Sequence, residues 1–276
     1  MPKQAVFNPV VLSKFVLWIV VIATATVLLR RRKVSPWLRL AFLIGGTLIL
    51  GFGYGFLAQG GLNPNPVLSV RNLLAALLGG RPLTPLAVAM LVVLLLMVFL
   101  SNKSICGWGC QLGLLQDLLY RAPLPKWKPP FWLSNTVRVA AFVALVGGLV
   151  IAASDWIRAV DPFRLFQFNF TLWVGLFSAA VLVASLFVYR PWCQFLCPFG
   201  LIGWAVEQVS LLRPRINRKA CKECKLCVKA CPTQAMADIF KGRKIHADCF
   251  ACGACIAACP GMTHWAGGGK HEGDTG

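Results

Sequence analysis

The sequence predicts a membrane α-helical bundle of about five transmembrane helices, followed by a small α+β domain at the C-terminus. Three observations predict it. The chain is 58% hydrophobic and only 13% charged, against about 25% for a soluble domain, so it has too little polar surface to cover itself in water. Its apolar residues gather in runs near the ~20 residues that a helix needs to cross a hydrocarbon core. After Leu212 the composition shifts to a polar linker and a segment dense in cysteine. The chain therefore divides into a transmembrane domain over 1–212, a cysteine-rich domain over 213–262, and a tail over 263–276. The tail is Gly-rich and polar from Gly267 and is expected to be disordered.

The five runs are approximately Val10–Leu29, Leu40–Ala58, Pro82–Leu100, Val137–Ala153 and Asn169–Tyr189. The first ends in Arg30, Arg31, Arg32 and Lys33 and not in a small-residue cleavage site, so it reads as a retained helix. Lys14 can snorkel from near its start. The fourth is short in its uncharged stretch, and its start is expected to extend back past Arg138.

Orientation follows from the loops. The net charge is +19, and its basic residues lie in short blocks between apolar runs. That placement fits positive-inside topology and excludes a nucleic-acid partner as the reading of the charge. Loop one carries Arg30, Arg31, Arg32, Lys33 and Arg39; loop three carries Lys103, Arg121, Lys126, Lys128 and Arg138. Loop two has only Arg71 and Arg81, and loop four balances Asp155 and Asp161 against Arg158 and Arg164. Loops one, three and the basic tail after Tyr189 are thus expected in the cytoplasm, with the N-terminus outside.

An internal repeat joins the third and fifth runs. Cys106-Gly-Trp-Gly-Cys110-Gln-Leu-Gly matches Cys193-Gln-Phe-Leu-Cys197-Pro-Phe-Gly, and each copy opens an amphipathic segment. Upstream stand Pro-bearing outer loops, Asn63-Pro64-Asn65-Pro66 and Asp161-Pro162. Two parallel two-helix repeats behind one extra N-terminal helix account for this pattern.

The C-terminal cysteines carry the clearest chemistry. Cys221-x2-Cys224-x2-Cys227-x3-Cys231-Pro232 is the bacterial ferredoxin run, and Cys249-x2-Cys252-x2-Cys255-x3-Cys259-Pro260 repeats it. Each tight loop aims three thiolates at one iron–sulfur cube, while the fourth cysteine, next to proline, serves the other. Cluster one takes Cys221, Cys224, Cys227 and Cys259; cluster two takes Cys249, Cys252, Cys255 and Cys231. The cofactors are two [4Fe–4S] clusters. Zinc gives no reason for a third cysteine at this spacing or for Cys-Pro, and a cytoplasmic tail disfavours disulfides. Lys222, Lys225 and Lys229 read either as a docking face for an acidic redox partner or as solvated charge facing lipid headgroups. His246, His264 and His271 have no ligand spacing and read as surface residues.

Cys106, Cys110, Cys193 and Cys197 sit at the cytoplasmic ends of spans, each pair at helical i, i+4 spacing. Three readings stay open: helix-end packing, a thiol/disulfide couple, or a joint four-thiolate site for a third metal or iron–sulfur centre.

Two C-x3-C motifs after membrane helices, then a two-cluster tail, resemble the NapH/MauN-type membrane ferredoxins and the C-terminal half of NosR, over about Leu40 to Cys259. The run from Cys106 through Cys110 to Asp117 is most similar to the MauN-like branch. One departure is Gln111 where Pro198 follows the other pair, so a softer helix break is expected there. The resemblance implies electron transfer between the quinol pool and a redox partner. The expected location is the bacterial inner (cytoplasmic) membrane, multi-pass, with the ferredoxin domain in the cytoplasm. Candidate quinone contacts are Arg71, Asp161 and Arg164, or Gly51–Gly55 with Tyr54. The glycines read equally as close helix packing, and the charges as helix caps. Two other functions compete: a copper reductase or maturation factor using the membrane-edge cysteines, and a membrane scaffold for a soluble redox partner.

Overall fold

The computed structural model describes residues 9–57, 64–78, 80, 82, 84–151, 154–168, 171–259 and 263–266. The expected tail 267–276, His271, Arg81 and Asn63 of the Asn-Pro loop lie outside them.

The chain opens with α1 (Pro9–Arg30) and α2 (Pro36–Leu57). The Ser35 hydroxyl caps α2 by accepting the Leu38 N–H, with proline in its first turn. Thr47–Gly53 within α2 is π-helical. It is the stretch where Phe166 comes close: a Cβ on Gly51 would stand 2.8 Å from the Phe166 ring, and one on Gly55 1.8 Å from its carbonyl oxygen. The glycines are therefore close-packing positions, filled by protein.

Next come α3 (Pro66–Leu77), α4 (Pro85–Ser101), a π-helical turn at Ile105–Gly109, and α5 (Gln111–Tyr120). Helix α6 (Phe131–Ile151) follows and starts before Arg138, as expected. Then come α7 (Trp156–Val160), α8 (Leu172–Ala184), α9 (Pro191–Phe195) and α10 (Pro198–Glu207).

Three helices, α1, α2 and α6, are long and apolar enough to cross a membrane. The third and fifth predicted runs form the shorter apolar helices α4 and α8. The bundle's outer face is apolar: Leu12, Val16, Ile19 and Val20 of α1, Val143 and Val150 of α6, and Leu172, Trp173 and Leu176 of α8 are all exposed. Water would penalise such a face, and lipid does not.

The C-terminal part pairs β1 (Arg213–Ile216) antiparallel with β2 (Thr263–Ala266). Between them lie α11 (Leu226–Ala230), α12 (Ala235–Phe240) and α13 (Ala254–Ala258). The strand at 263–266 corrects the expected boundary: the folded part continues past Met262, because these residues supply the partner that β1 needs. A Cβ on Gly253 would stand 3.0 Å from Val34 and 3.2 Å from Leu29, so this loop packs against them. The cysteine-rich part thus sits at the end of α1 that carries the basic Arg30–Lys33 block.

Lys14 does not snorkel. It is fully buried, donates to Gln111 Oε1 at 3.3 Å, and lies over the Trp18 and Tyr54 rings. The loop carrying the first C-x3-C pair folds back into the bundle to meet it.

Candidate iron–sulfur and cysteine sites

The two C-terminal cysteine loops have the same backbone. Glu223 and Lys225 in the first and Ala251 and Gly253 in the second all adopt left-handed φ, between 50° and 80°, at equivalent positions. Non-glycine residues rarely do so. Each loop runs into a five-residue helix, α11 or α13, that carries its third cysteine.

A small cavity is lined by Cys231, Cys249, Cys252 and Cys255 together, the crosswise set expected for the second cluster. Their thiols also interact electrostatically with one another. In the first loop, Cys227 interacts with Cys259 and Cys221, while Cys224 is exposed. Burial pushes the Cys249, Cys252 and Cys255 thiols up. A bound cation would offset that penalty and hold them as thiolates. Backbone N–H groups of Ala251, Ala254 and Ile256 face these sulfurs, as ligands of an anionic cluster require. The donor set and the cavity therefore fit [4Fe–4S] clusters.

The structure brings the other four cysteines together as well. Cys106 interacts with Cys110 and Cys193, and Cys197 with Cys106 and Cys110. All four are buried. Gly109, beside Cys110, accepts a bond from Trp18 Nε1 at 3.0 Å, and Gln111 packs on Gly51. Trp18 stands about 18 Å of helix rise from Arg30.

Each pair ends at the N-cap of a ten-residue helix: Cys110 for α5, with φ −82° and ψ 114°, and Cys197 for α10, with φ −69° and ψ 117°. The break at Gln111 is thus as sharp as the one at Pro198. Gly113 and Gly200 at equivalent positions explain why. A Cβ there would fall 2.7 Å from Cys106 O and 2.5 Å from Cys193 O, so the chain folds tightly over each first cysteine. The thiol of Cys197 accepts the Gly200 N–H at 3.3 Å. The second cysteine of each pair, Cys110 and Cys197, therefore stands at the positive end of a half-helix.

Sequence reasoning missed the basic residues three positions before each pair, Lys103 and Arg190. Both are fully buried. Arg190 donates to the Cys106 carbonyl and to Gly107 O, and pairs with Asp117 at 2.9 Å. Lys103 pairs with Asp248 and, at 3.3 Å, with Glu207. With Lys14 and Arg138 they surround the four thiols with positive charge. Buried carboxylates partner that shell: Asp117 pairs with Arg190, and Asp248 with Lys103 and Arg138. Among the described residues no three His, Cys, Asp or Glu side chains stand close enough to share one metal ion. The eight ferredoxin cysteines fall under the same statement, because a cube of four irons spreads its ligands further than a single ion does.

Glu207, Asp248 and Lys103 form the joint between the two parts. Glu207 Oε1 accepts the Cys249 N–H at 2.9 Å, and Arg138 pairs with Asp248 at 3.0 Å. Burial pulls Lys103 down, but Asp248 and Glu207 beside it raise it above the usual lysine value. His246 is buried, not on the surface, with Nδ1 2.9 Å from Ala247 O and 3.5 Å from Glu207. It lies in this joint because Trp204 and Gln208 hold its carbonyl.

The outer charges are engaged elsewhere. Arg71 pairs with Asp155, and Asp161 caps the Phe163 N–H at 3.0 Å.

Comparison with known proteins agrees with this geometry. A model of a 4Fe-4S dicluster domain matches residues 213–260. A model of a 4Fe-4S binding domain matches twice, over 83–130 and 170–219, and so covers both C-x3-C pairs and the repeat. YccM of Escherichia coli K12 is 26% identical over 197 residues, 63% of this chain and 54% of YccM. The ferredoxin-type protein NapH of Haemophilus influenzae is 27% identical over 59% of this chain and 61% of NapH. The methylamine utilization ferredoxin-type protein MauN of Methylorubrum extorquens is 29% identical over 53% of this chain and 54% of MauN. The chain thus spans between half and two thirds of these relatives. No solved structure matches it.

Cysteine loops of this kind, joined to a lipid-facing bundle, define a membrane-associated ferredoxin-type 4Fe-4S protein. Within that class the chain belongs to the NapH/MauN/NosR-type 4Fe-4S family. The MauN-like branch is not singled out, since NapH and MauN match at similar identity.

Proposed function

We propose that the protein passes electrons between the quinol pool and a redox partner through two [4Fe–4S] clusters. The clusters would be held by Cys221, Cys224, Cys227 and Cys259, and by Cys249, Cys252, Cys255 and Cys231. The observation that carries the reading is the repeated cysteine loop, docked by buried ion pairs onto a bundle with an apolar outer face. When bound, such clusters supply one-electron redox steps. The chain's own part is to hold the thiolates, exclude water and fix the second loop against α10 through Glu207 and Lys103.

The bundle is read as five spans in the bacterial inner membrane, α4 and α8 included, with the ferredoxin part cytoplasmic. The basic loops, and Gly253 packing beside that end of α1, support this side. A titration followed by EPR tests the reading. Quinol should reduce the clusters of the whole protein, or quinone should reoxidise clusters reduced with dithionite. If neither exchange occurs while dithionite reduces the clusters, the reading fails.

The four buried thiols Cys106, Cys110, Cys193 and Cys197 are read as a further redox centre, a third cluster or a dithiol pair. Their cationic shell and the twice-matched 4Fe-4S model support this. With all four changed to serine, iron and sulfide counts should fall by one cluster. Unchanged counts would eliminate the cluster and leave the dithiol.

A further inference from the structure

The two C-terminal cysteine loops share a backbone but meet different surroundings. In the second loop the residue after the first cysteine is Phe250. It is buried, with its ring 5.8 Å from that of Tyr189 and 5.1 Å from Lys103 Nζ. Ala251 is buried, and its carbonyl accepts from Trp108 Nε1 at 2.9 Å. This loop is therefore the face by which the cysteine-rich part sits on the bundle. At the equivalent positions the first loop carries Lys222 and Glu223, and both are exposed. Its helix differs in the same way: Leu226 and Lys229 of α11 stand where α13 has Ala254 and Ala257. Leu226 is 51% exposed. Of the twelve cysteines, Cys224 alone is exposed. Lys225 follows it, and the Lys229 N–H bonds Lys225 O at 3.0 Å, so these two lysines lie one helical turn apart. Lys128, from the loop after α5, donates to Lys229 O at 3.0 Å and to Cys231 O at 2.5 Å, which sets a further cation at the edge of this face. The face is thus a small apolar spot and one thiol among lysines, with Glu223 as the single acid between Arg218 and Lys229.

We propose that this face of the first loop, Lys222, Lys225, Leu226 and Lys229 around Cys224, docks a small acidic electron-carrier protein. The proposal rests on the electron-transfer reading above and supplies the chemistry of the redox partner. The partner is oxidised by one electron as the first-loop cluster is reduced by one, or the reverse, and no atom is transferred. A small apolar centre with a charged rim suits a weak, transient interface, and the lysines steer an acidic surface towards it. Cys224 places a cluster ligand at the point of contact. Solvated charge facing lipid headgroups gives no reason for a cluster ligand and a leucine to be exposed in the middle of the lysines.

The test uses the full iron-loaded protein in phosphatidylcholine nanodiscs and, as probe, a strongly acidic flavodoxin carrying a fluorophore. Binding is read by anisotropy, and it should weaken as salt is added. Changing Lys222, Lys225 and Lys229 together to glutamine should weaken binding about tenfold or more at unchanged iron content, and arginine at the same three positions should keep it. Removing the same charge at Lys241, Arg243 and Lys244 is the control and should change binding less than about twofold. Electron transfer from the dithionite-reduced protein to the probe should slow in the first triple variant and not in the control. Equal weakening by both triple variants overturns the proposal, as does absence of salt-dependent binding to wild type, or binding without electron exchange. It is also overturned if phosphatidylglycerol in the disc shields Lys222 and Lys225 from acetylation as well as the probe does, since the lysines then face lipid. If the probe docks and exchanges electrons while quinol and the clusters do not, the docking face stands and the quinol reading fails. If quinol reduces the clusters but the probe does not bind, the docking face fails and the quinol reading stands.

Discussion

Asp117→Asn should be among the most destabilising single changes in the bundle. The Asp117 carboxylate accepts from Arg39 at 2.7 Å, from Arg190 at 2.9 Å and from the Tyr189 hydroxyl at 3.0 Å. Arg39 is 3% exposed and Arg190 fully buried. Although burial works to raise it, the two arginines hold the Asp117 carboxyl below the usual carboxylate value. Removing its charge leaves two buried cations uncompensated, at a cost of about 3–5 kcal/mol. The lower bound is roughly a hundredfold in the folding equilibrium. The assay is reversible unfolding in mixed detergent micelles, followed by tryptophan fluorescence. Because the three groups act as one unit, adding Arg39→Gln to Asp117→Asn should cost much less than adding it to wild type. The exposed pair of Arg243 with Asp238 is the control: Arg243→Ala should cost less than about 1 kcal/mol. Asp117→Asn within about 0.5 kcal/mol of wild type would refute the view that this carboxylate holds α2, α5 and the Arg190 turn together.

Gly107→Ala would put a Cβ 2.2 Å from the Phe250 carbonyl oxygen, a backbone atom that cannot yield. It should unseat the ferredoxin part, seen as faster proteolysis of the linker after Leu212. Cys231→Ser should lose the cluster of the second loop and Cys259→Ser that of the first, read by EPR of the cluster remaining; the opposite pairing would refute crosswise ligation. Burial raises the Asp161 carboxyl, in the outer loop, to about 6 despite its bond from Phe163. Its contribution to stability is therefore full below the unfolded value near 3.8 and lost as pH rises through about 6. Asp161→Asn keeps the cap and should flatten the melting temperature across that window; an unchanged pH profile counts against it.

Much of this was legible in the chain itself. The doubled ferredoxin run, the C-x3-C repeat and the backward extension of α6 past Arg138 all follow from local pattern, and local pattern decides loops and helix starts. The remainder depends on tertiary partners. Lys14 looked like a snorkelling residue because nothing in its own helix shows that Gln111 folds back to meet it. Lys103 and Arg190 were read as topology markers, yet they are fully buried, and only the matching position before each cysteine pair hinted at a shared role. Arg39 and Arg138, counted as loop charges, are held by Asp117 and Asp248. His246 looked superficial because it has no ligand spacing to other residues, whereas Trp204 and Gln208 from another part of the chain hold its carbonyl in the joint. Gln111 seemed a weaker helix breaker than Pro198, but the tight fold over Gly113 supplies the same break.

The joint built by Lys103, Arg138, Glu207 and Asp248 also limits how the protein can work. Four polar side chains from four separate stretches of chain interlock at the base of the second cysteine loop, and Trp108 Nε1 adds a bond to Ala251 O at 2.9 Å. A carrier that shuttles on a swinging arm needs a weak hinge at this point, and here that position is occupied by ion pairs among buried side chains. In the proposed electron transfer the cysteine-rich part is thus a fixed terminal, and a partner has to come to it.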